Sequence, residues 1–116
     1  MAYKNLAGDR VPPTDGPTKR DILKADEFTI GLVSLDEGQE IEPHPEPYAV
    51  FFLVLEGVGK FTTSEGTVEL TAGDGLYLDS GEQRGIRCTD ALTILGVQEP
   101  HDSATSQTTA AIRDAR

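Results

Sequence analysis

The stretch YAVFFLVLEGVGKFTTSEGTVEL, residues 48–70, decides the fold. Tyr48 to Leu55 and Val58 to Thr63 are rich in β-branched and aromatic side chains, which suit a pleated, half-buried surface. Both runs have strand length, and Glu56-Gly57 between them is a turn signal. Ser64-Glu65-Gly66 separates Val58–Thr63 from Thr67–Leu70 and reads as a hairpin, with Gly66 able to take the left-handed conformation that a tight loop asks for.

Outward from this hairpin the pattern repeats. Phe28 to Leu35, Leu76 to Leu78, Ile86 to Thr89 and Leu92 to Val97 are strands by residue type, with turn signals at Asp36-Glu37-Gly38, Ala72 to Gly75 and Asp79-Ser80-Gly81. Turns recur about every 8 to 12 residues, the rhythm of a β-sandwich or barrel. Nothing in this core has a helical pattern. Phe52, Val54 and Ile94 are expected to line the interior. A chain of 116 residues makes one domain. Residues 1–18, with Pro12, Pro13, Pro17, Gly8 and Gly16, are expected to form an arm, 19–100 the folded unit and 101–116 a tail. The stretch from Pro12 to Asp26 supplies an extra strand or part of the arm. In the tail, Ala110, Ala111 and Ile112 favour a short helix, while Thr105, Ser106, Thr108 and Thr109 favour disorder.

Charge narrows the function. Twenty acidic residues against ten basic ones leave a formal charge of -10, which repels a phosphate backbone, so no nucleic-acid partner is expected. No apolar run has the length of a membrane span, and the opening MAYKNLAGDR lacks the apolar stretch of a secretory signal. A cytoplasmic location with no membrane partner is the expectation. The single cysteine, Cys88, has no second thiol to pair with inside the chain and reads as a small buried hydrophobe.

The chemically suggestive stretch is EPHPEPY, residues 42–48. Pro43, Pro45 and Pro47 each push the preceding residue into an extended conformation, so Glu42, His44 and Glu46 are held extended. Side chains two apart on an extended chain point the same way, which sets the His44 imidazole beside the Glu46 carboxylate. Proline has no donor for a sheet ladder, so the segment belongs at a strand start, an edge or a barrel mouth.

These residues carry a resemblance to the cupin superfamily. Its first motif reads G, five residues, HxH, three or four residues, E, six residues, G. Here Gly38, five residues, His44, one residue, Glu46, three residues, Val50, six residues and Gly57 fall on that frame. The second motif reads G, five residues, PxG, two residues, H, three residues, N. Gly73, five residues, Asp79-Ser80-Gly81, two residues, Arg84, three residues and Cys88 fall on that one. The resemblance covers about Lys19 to Pro100 and implies an all-β, double-stranded antiparallel β-barrel of the cupin or jelly-roll type. It also implies a homodimer.

In metal-binding cupins two histidines and a glutamate of the first motif and a histidine of the second hold a divalent ion. Of these positions only His44 is kept, the others being Glu46, Val50 and Arg84. Val50 has no donor atom, and a guanidinium stays protonated with no lone pair to offer. If Arg84 points inward, an ion pair with Glu46 is expected in the space of the metal; if outward, Arg84 is a solvated turn residue. The preferred reading is a small-molecule-binding cupin with a degenerate metal site and no cofactor. Its pocket would be edged by His44, Glu46, Tyr48, Gln83 and Arg84, with Arg84, and Arg87 as a further candidate, receiving a carboxylate or phosphate. The alternatives are enzymes. In one, His44 and Glu46, helped by Gln83 or His101, hold Fe, Mn, Ni or Zn for an oxygenase or isomerase. In the other, His44 is the base and Tyr48 or Tyr77 the proton donor, as in metal-free sugar epimerases of similar fold. The specific substrate and any catalytic residue stay open.

Overall fold

The computed structural model describes residues 12, 13 and 15–100; the rest of the arm, the tail from residue 101 and with it His101 lie outside the described residues. Seven strands follow in order: β1 (Thr18–Lys24), β2 (Thr29–Leu35), β3 (Glu40–Pro45), β4 (Val50–Thr63), β5 (Gly66–Thr71), β6 (Gly75–Leu78) and β7 (Gln83–Gln98). All pairings are antiparallel. The stretch from Pro12 to Asp26 contributes β1. Among the described residues no helix is long and apolar enough to cross a membrane.

Two strands are longer than expected. Glu56-Gly57 does not separate two strands; β4 runs through it, and β7 likewise joins the two expected strands Ile86–Thr89 and Leu92–Val97. The turn-like residues are absorbed by β-bulges, since the β4–β7 register slips at Val54/Glu56, Glu56/Val58 and Val58/Gly59. A bulge bends and twists a strand without ending it. Both strands therefore belong to two sheets. The first half of β4 and the second half of β7 lie with β1, β2 and β6; the other halves lie with β3 and β5. The two sheets face each other as a jelly roll whose hydrogen-bonded ladder ends at β1 and β6 on one side and β3 and β5 on the other.

Between the sheets lies the core of Val33, Leu35, Val54, Phe61, Leu70, Ile86, Cys88, Leu92 and Ile94, with Phe52, Ile41 and Leu76 packed against it. Val54, Ile94 and Phe52 thus occupy the interior foreseen for them. Fully burying one such large side chain is worth about 1.5–3 kcal/mol. Cys88 is part of this core; its Sγ donates weakly to the Leu35 carbonyl at 3.4 Å, and burial pushes the thiol pKa up. The Ser64 hairpin is present, with Thr63 opposite Gly66 at φ 122°.

At the bend, Gly57 has φ 84°, and a Cβ there would collide with the Asp90 and Ala91 carbonyls across the ladder. Gly38 has φ 85° but open space around the same position. Gly38→Ala should therefore cost only the left-handed penalty, about 1–2 kcal/mol. Gly57→Ala adds a backbone collision and should cost about 3 kcal/mol or more. Urea unfolding of the two variants checks this, and equal losses would remove Gly57 as the residue that permits the bend.

Candidate functional site

Segment EPHPEPY enters the structure as the edge strand β3 and the bend that follows it. β3 pairs only with β7 among the described residues, and its register slips between Ile41 and His44. The slip falls at Pro43, which packs so closely on Gly85 that a Cβ on Gly85 would lie 2.7 Å from the proline Cγ. Proline with no donor and glycine with no side chain meet where the ladder is broken. Beyond the slip His44 faces Arg84 across the strands.

The alternation argument places His44 and Glu46 side by side, and the structure does so. His44 Nε2 lies 3.0 Å from Glu46 Oε2, while Nδ1 lies 2.9 Å from the Glu42 carbonyl oxygen. Both partners are acceptors, so the ring is satisfied when both nitrogens donate, as imidazolium against carboxylate. The hydrogen bond to Glu46 raises the His44 pKa above its ordinary value; burial opposes this, and the Glu42 carbonyl adds to it. Glu46 is 1% exposed and is no solvated surface carboxylate.

Arg84 points inward and is 5% exposed. The expected ion pair with Glu46 is not formed, because Glu46 turns to His44. The guanidinium instead donates from Nε to the Glu82 carbonyl at 3.1 Å and from Nη2 to the Asp79 carbonyl at 2.9 Å. Its carbon sits 5.3 Å from the centre of the Tyr48 ring, a cation–π contact. Nη1 is buried with no hydrogen-bond partner in the protein, as is Glu46 Oε1. Burial pulls the Arg84 pKa down, and the neighbouring Tyr48, Glu46 and Glu82 pull it back up.

The turn that holds Arg84 is itself stapled. Gly81 N donates to the Glu46 carbonyl at 2.7 Å, tying the two motif loops together. Ser64 Oγ and the Asp79 amide both donate to the Glu82 carboxylate, at 2.6 and 3.1 Å. Those bonds, the Ser64 one foremost, hold the Glu82 pKa below the ordinary carboxylate value.

Beside this cluster a narrow cavity enters between the sheets, ≈ 40 Å³ measured as space open to the centre of a water molecule. Tyr48 and Arg84 line it, with Lys19, Gln98 and apolar walls that include Val50, Phe52 and Ile86. Its hollow comes from two glycines, Gly31 of β2 and Gly96 of β7, opposite each other in the ladder. Lys19 is 7% exposed and donates to Gln98 Oε1 at 3.3 Å. Lys19 and Gln98 were not among the expected residues. The legible signal was the pair of glycines inside otherwise apolar strands, which leaves room for a long side chain. Of the expected pocket residues, Tyr48 and Arg84 line the cavity; His44 and Glu46 lie beside it, and Gln83 is exposed and is not in its lining. Arg87 is exposed, and Tyr77 is 58% exposed on the outer face of β6. Tyr48 precedes β4, whose first residue is Val50.

The cupin domain family pattern matches residues 31–97, more than half of the sequence. The chain belongs to the cupin family. No curated protein matches it. Solved structures with the same fold include a protein of Thermus thermophilus, 20% identical at a TM-score of 0.80, covering 88% of this chain and 100% of that one. An RmlC-like cupin from Desulfovibrio desulfuricans is 22% identical at a TM-score of 0.76, covering 86% and 97%. A conserved protein of unknown function from Streptococcus pyogenes is 22% identical at a TM-score of 0.72, covering 87% and 89%. At these identities the likeness is one of fold.

The four positions that hold the metal in other cupins carry a different set of side chains here. Of the four motif positions, Val50 has no donor atom, Arg84 brings a buried positive charge, and the Nε2 of His44 is spent on Glu46. Among the described residues no three His, Cys, Asp or Glu side chains cluster as metal ligands.

The His44–Glu46 bond has a pH signature. Folding raises the His44 pKa above 6.5, so its stabilisation is whole below that value and is lost as pH rises through the raised one. In urea unfolding at pH values on both sides of 6.5, His44→Gln should remove this loss of stability toward higher pH. A variant with the wild-type pH dependence would show that the bond does not form in solution.

Proposed function

We propose that this cupin binds a small anionic molecule at the barrel cavity, with no resident metal, and that Arg84 receives the anion. The observation that carries this reading is Arg84, which lines the cavity and whose Nη1 is buried without a hydrogen-bond partner. A buried cation costs several kcal/mol unless it is compensated, on the order of the penalty for an ion taken out of water. Here the acceptors hydrogen-bonded to the guanidinium are two neutral carbonyls, and the neighbouring Glu46 carboxylate gives Oε2 to His44 while its Oε1 makes no hydrogen bond to Arg84. An anion on Nη1 completes the site.

The same geometry speaks for binding rather than for general-base catalysis. A histidine that donates from both nitrogens has no lone pair with which to take a proton. Tyr77, one of the two proton donors an epimerase would use, is on the outer surface. Homodimerisation belongs to the proposal as well: Phe28, Phe51 and Tyr77 are 37%, 43% and 58% exposed around one outer hollow, an apolar face suited to a second copy.

Calorimetric titration with acetate and with inorganic phosphate, in wild type and Arg84→Gln, tests the reading. At least one anion should bind the wild type, and the variant should bind it about tenfold more weakly or worse, the worth of a charge-assisted hydrogen bond. Undiminished affinity in the variant would remove Arg84 from the site. Elemental analysis of untagged protein purified without chelator should find no stoichiometric Fe, Mn, Ni or Zn; a full equivalent that vanishes in His44→Gln would overturn the metal-free reading.

A further inference from the structure

We propose that the anion is bicarbonate, held between Arg84 and Lys19 with one oxygen on Arg84 Nη1 and its own O–H donated to Glu46 Oε1. This rests on the anion-binding reading above and names the anion.

Three observations select it. The first is a complementary pair of orphaned atoms. Arg84 Nη1 is a buried donor with no acceptor, and Glu46 Oε1 is a buried acceptor with no donor. The two side chains are neighbours, since the Glu46 charge acts on Arg84, yet these two atoms do not bond to each other. His44 takes the other carboxylate oxygen, Oε2. Each atom left unpaired keeps the cost of its desolvation. An anion with no O–H or N–H would serve Nη1 and set one more negative atom against Oε1. An anion with an O–H serves both, accepting from the guanidinium through one oxygen and donating to the carboxylate through another.

The second is charge. Among the described residues that line the cavity, Lys19 and Arg84 are the charged ones, and both are buried cations. Two positive groups facing one small space repel each other unless an anion lies between them. Lys19 reaches the space over Gly31 in company. A Cβ on Gly31 would lie 3.3 Å from the Arg20 carbonyl oxygen, 3.4 Å from Asp21 Oδ1 and 3.5 Å from Lys19 Cε. The Asp21 carboxylate stands outside the lining, and its Oδ2 lies 3.6 Å from the Lys24 ammonium, so two lysines draw on it. The third oxygen of bicarbonate faces Lys19.

The third is size. A cavity of ≈ 40 Å³ on this measure has room for roughly three water-sized groups at ~10–15 Å³ each. Bicarbonate is three such groups, its oxygens, around one carbon. Phosphate and sulfate carry a fourth oxygen, and longer carboxylic acids carry further carbons. Acetate and nitrate have the shape of bicarbonate, with a methyl group or a bare oxygen where bicarbonate has its O–H. Shape therefore admits all three, and Glu46 Oε1 separates them.

The test is an NMR titration of the full chain with bicarbonate, acetate, nitrate, phosphate and sulfate at one mildly alkaline pH and fixed ionic strength. It is run on wild type, Arg84→Gln, Lys19→Met and Glu46→Gln. Bicarbonate should shift the Tyr48, Val50 and Gly96 signals saturably and bind about tenfold more tightly than acetate or nitrate, the worth of a hydrogen bond to a charged acceptor. Phosphate and sulfate should bind more weakly than bicarbonate. Arg84→Gln should weaken bicarbonate and acetate alike, about tenfold or more, and Lys19→Met should weaken both in the same direction. Glu46→Gln should abolish the preference for bicarbonate, because His44 claims the amide oxygen and leaves the NH₂ toward the guest. Should Glu46→Gln fail to fold, the wild-type ranking of bicarbonate against acetate and nitrate carries the same decision. Arg84-dependent binding in which acetate, nitrate or phosphate equals or outranks bicarbonate overturns the bicarbonate assignment and keeps the anion reading. A preference that survives Glu46→Gln overturns the placement of the O–H, and unchanged affinity in Lys19→Met overturns the place between two cations. If no anion shifts the cavity signals, both proposals fall.

Discussion

A guanidinium drawn out of water must be surrounded by acceptors, and the mouth of this barrel is organised around that demand. Arg84 holds the Asp79 and Glu82 carbonyls and lies on the Tyr48 ring. The 79–82 turn in turn grips the Glu46 backbone through Gly81 and the Ser64 hairpin through Glu82. The loops that carry metal ligands in better-equipped cupins are thus held in place here by hydrogen bonds around a cation. A divalent ion and a guanidinium both organise negative ends of dipoles, but only the guanidinium does so with a fixed planar fork, and here part of that fork is left over.

Glu46 illustrates how one partner choice sets the electrostatics of a site. Facing Arg84, it would have cancelled that charge; facing His44, it leaves the cation to something else. The choice follows from the backbone. His44 and Glu46 are two apart on a proline-stiffened extended segment, and their pairing needs no loop to move. Arg84 arrives from another strand, and the carbonyls of its own turn reach it first.

Much of this was legible in the amino-acid order because it is local. Strand composition, the Ser64 hairpin, the glycine frame and the His44–Glu46 adjacency each depend on residues close in sequence. What was not legible depends on distant ones. Glu56-Gly57 has turn chemistry, yet it became a bulge because β7 runs alongside and keeps the ladder going. The burial of Lys19 depends on Gly31, which lies diagonally across the β1–β2 ladder and leaves room for its side chain, and on Gln98 at the far end of the domain. The partners of Arg84 are backbone carbonyls, which every residue possesses, so no side-chain motif announces them.

The positions that would ligate a metal, His44, Glu46, Val50 and Arg84, all stand outside the central cluster between the sheets. Three of them sit on an edge strand, on the bend after it or at the start of β7. The scaffold's cohesion and the rim's chemistry are therefore separately adjustable. Such a protein is free to exchange one kind of guest for another while its interior continues to fold as before, which is how a single architecture comes to house unrelated occupations.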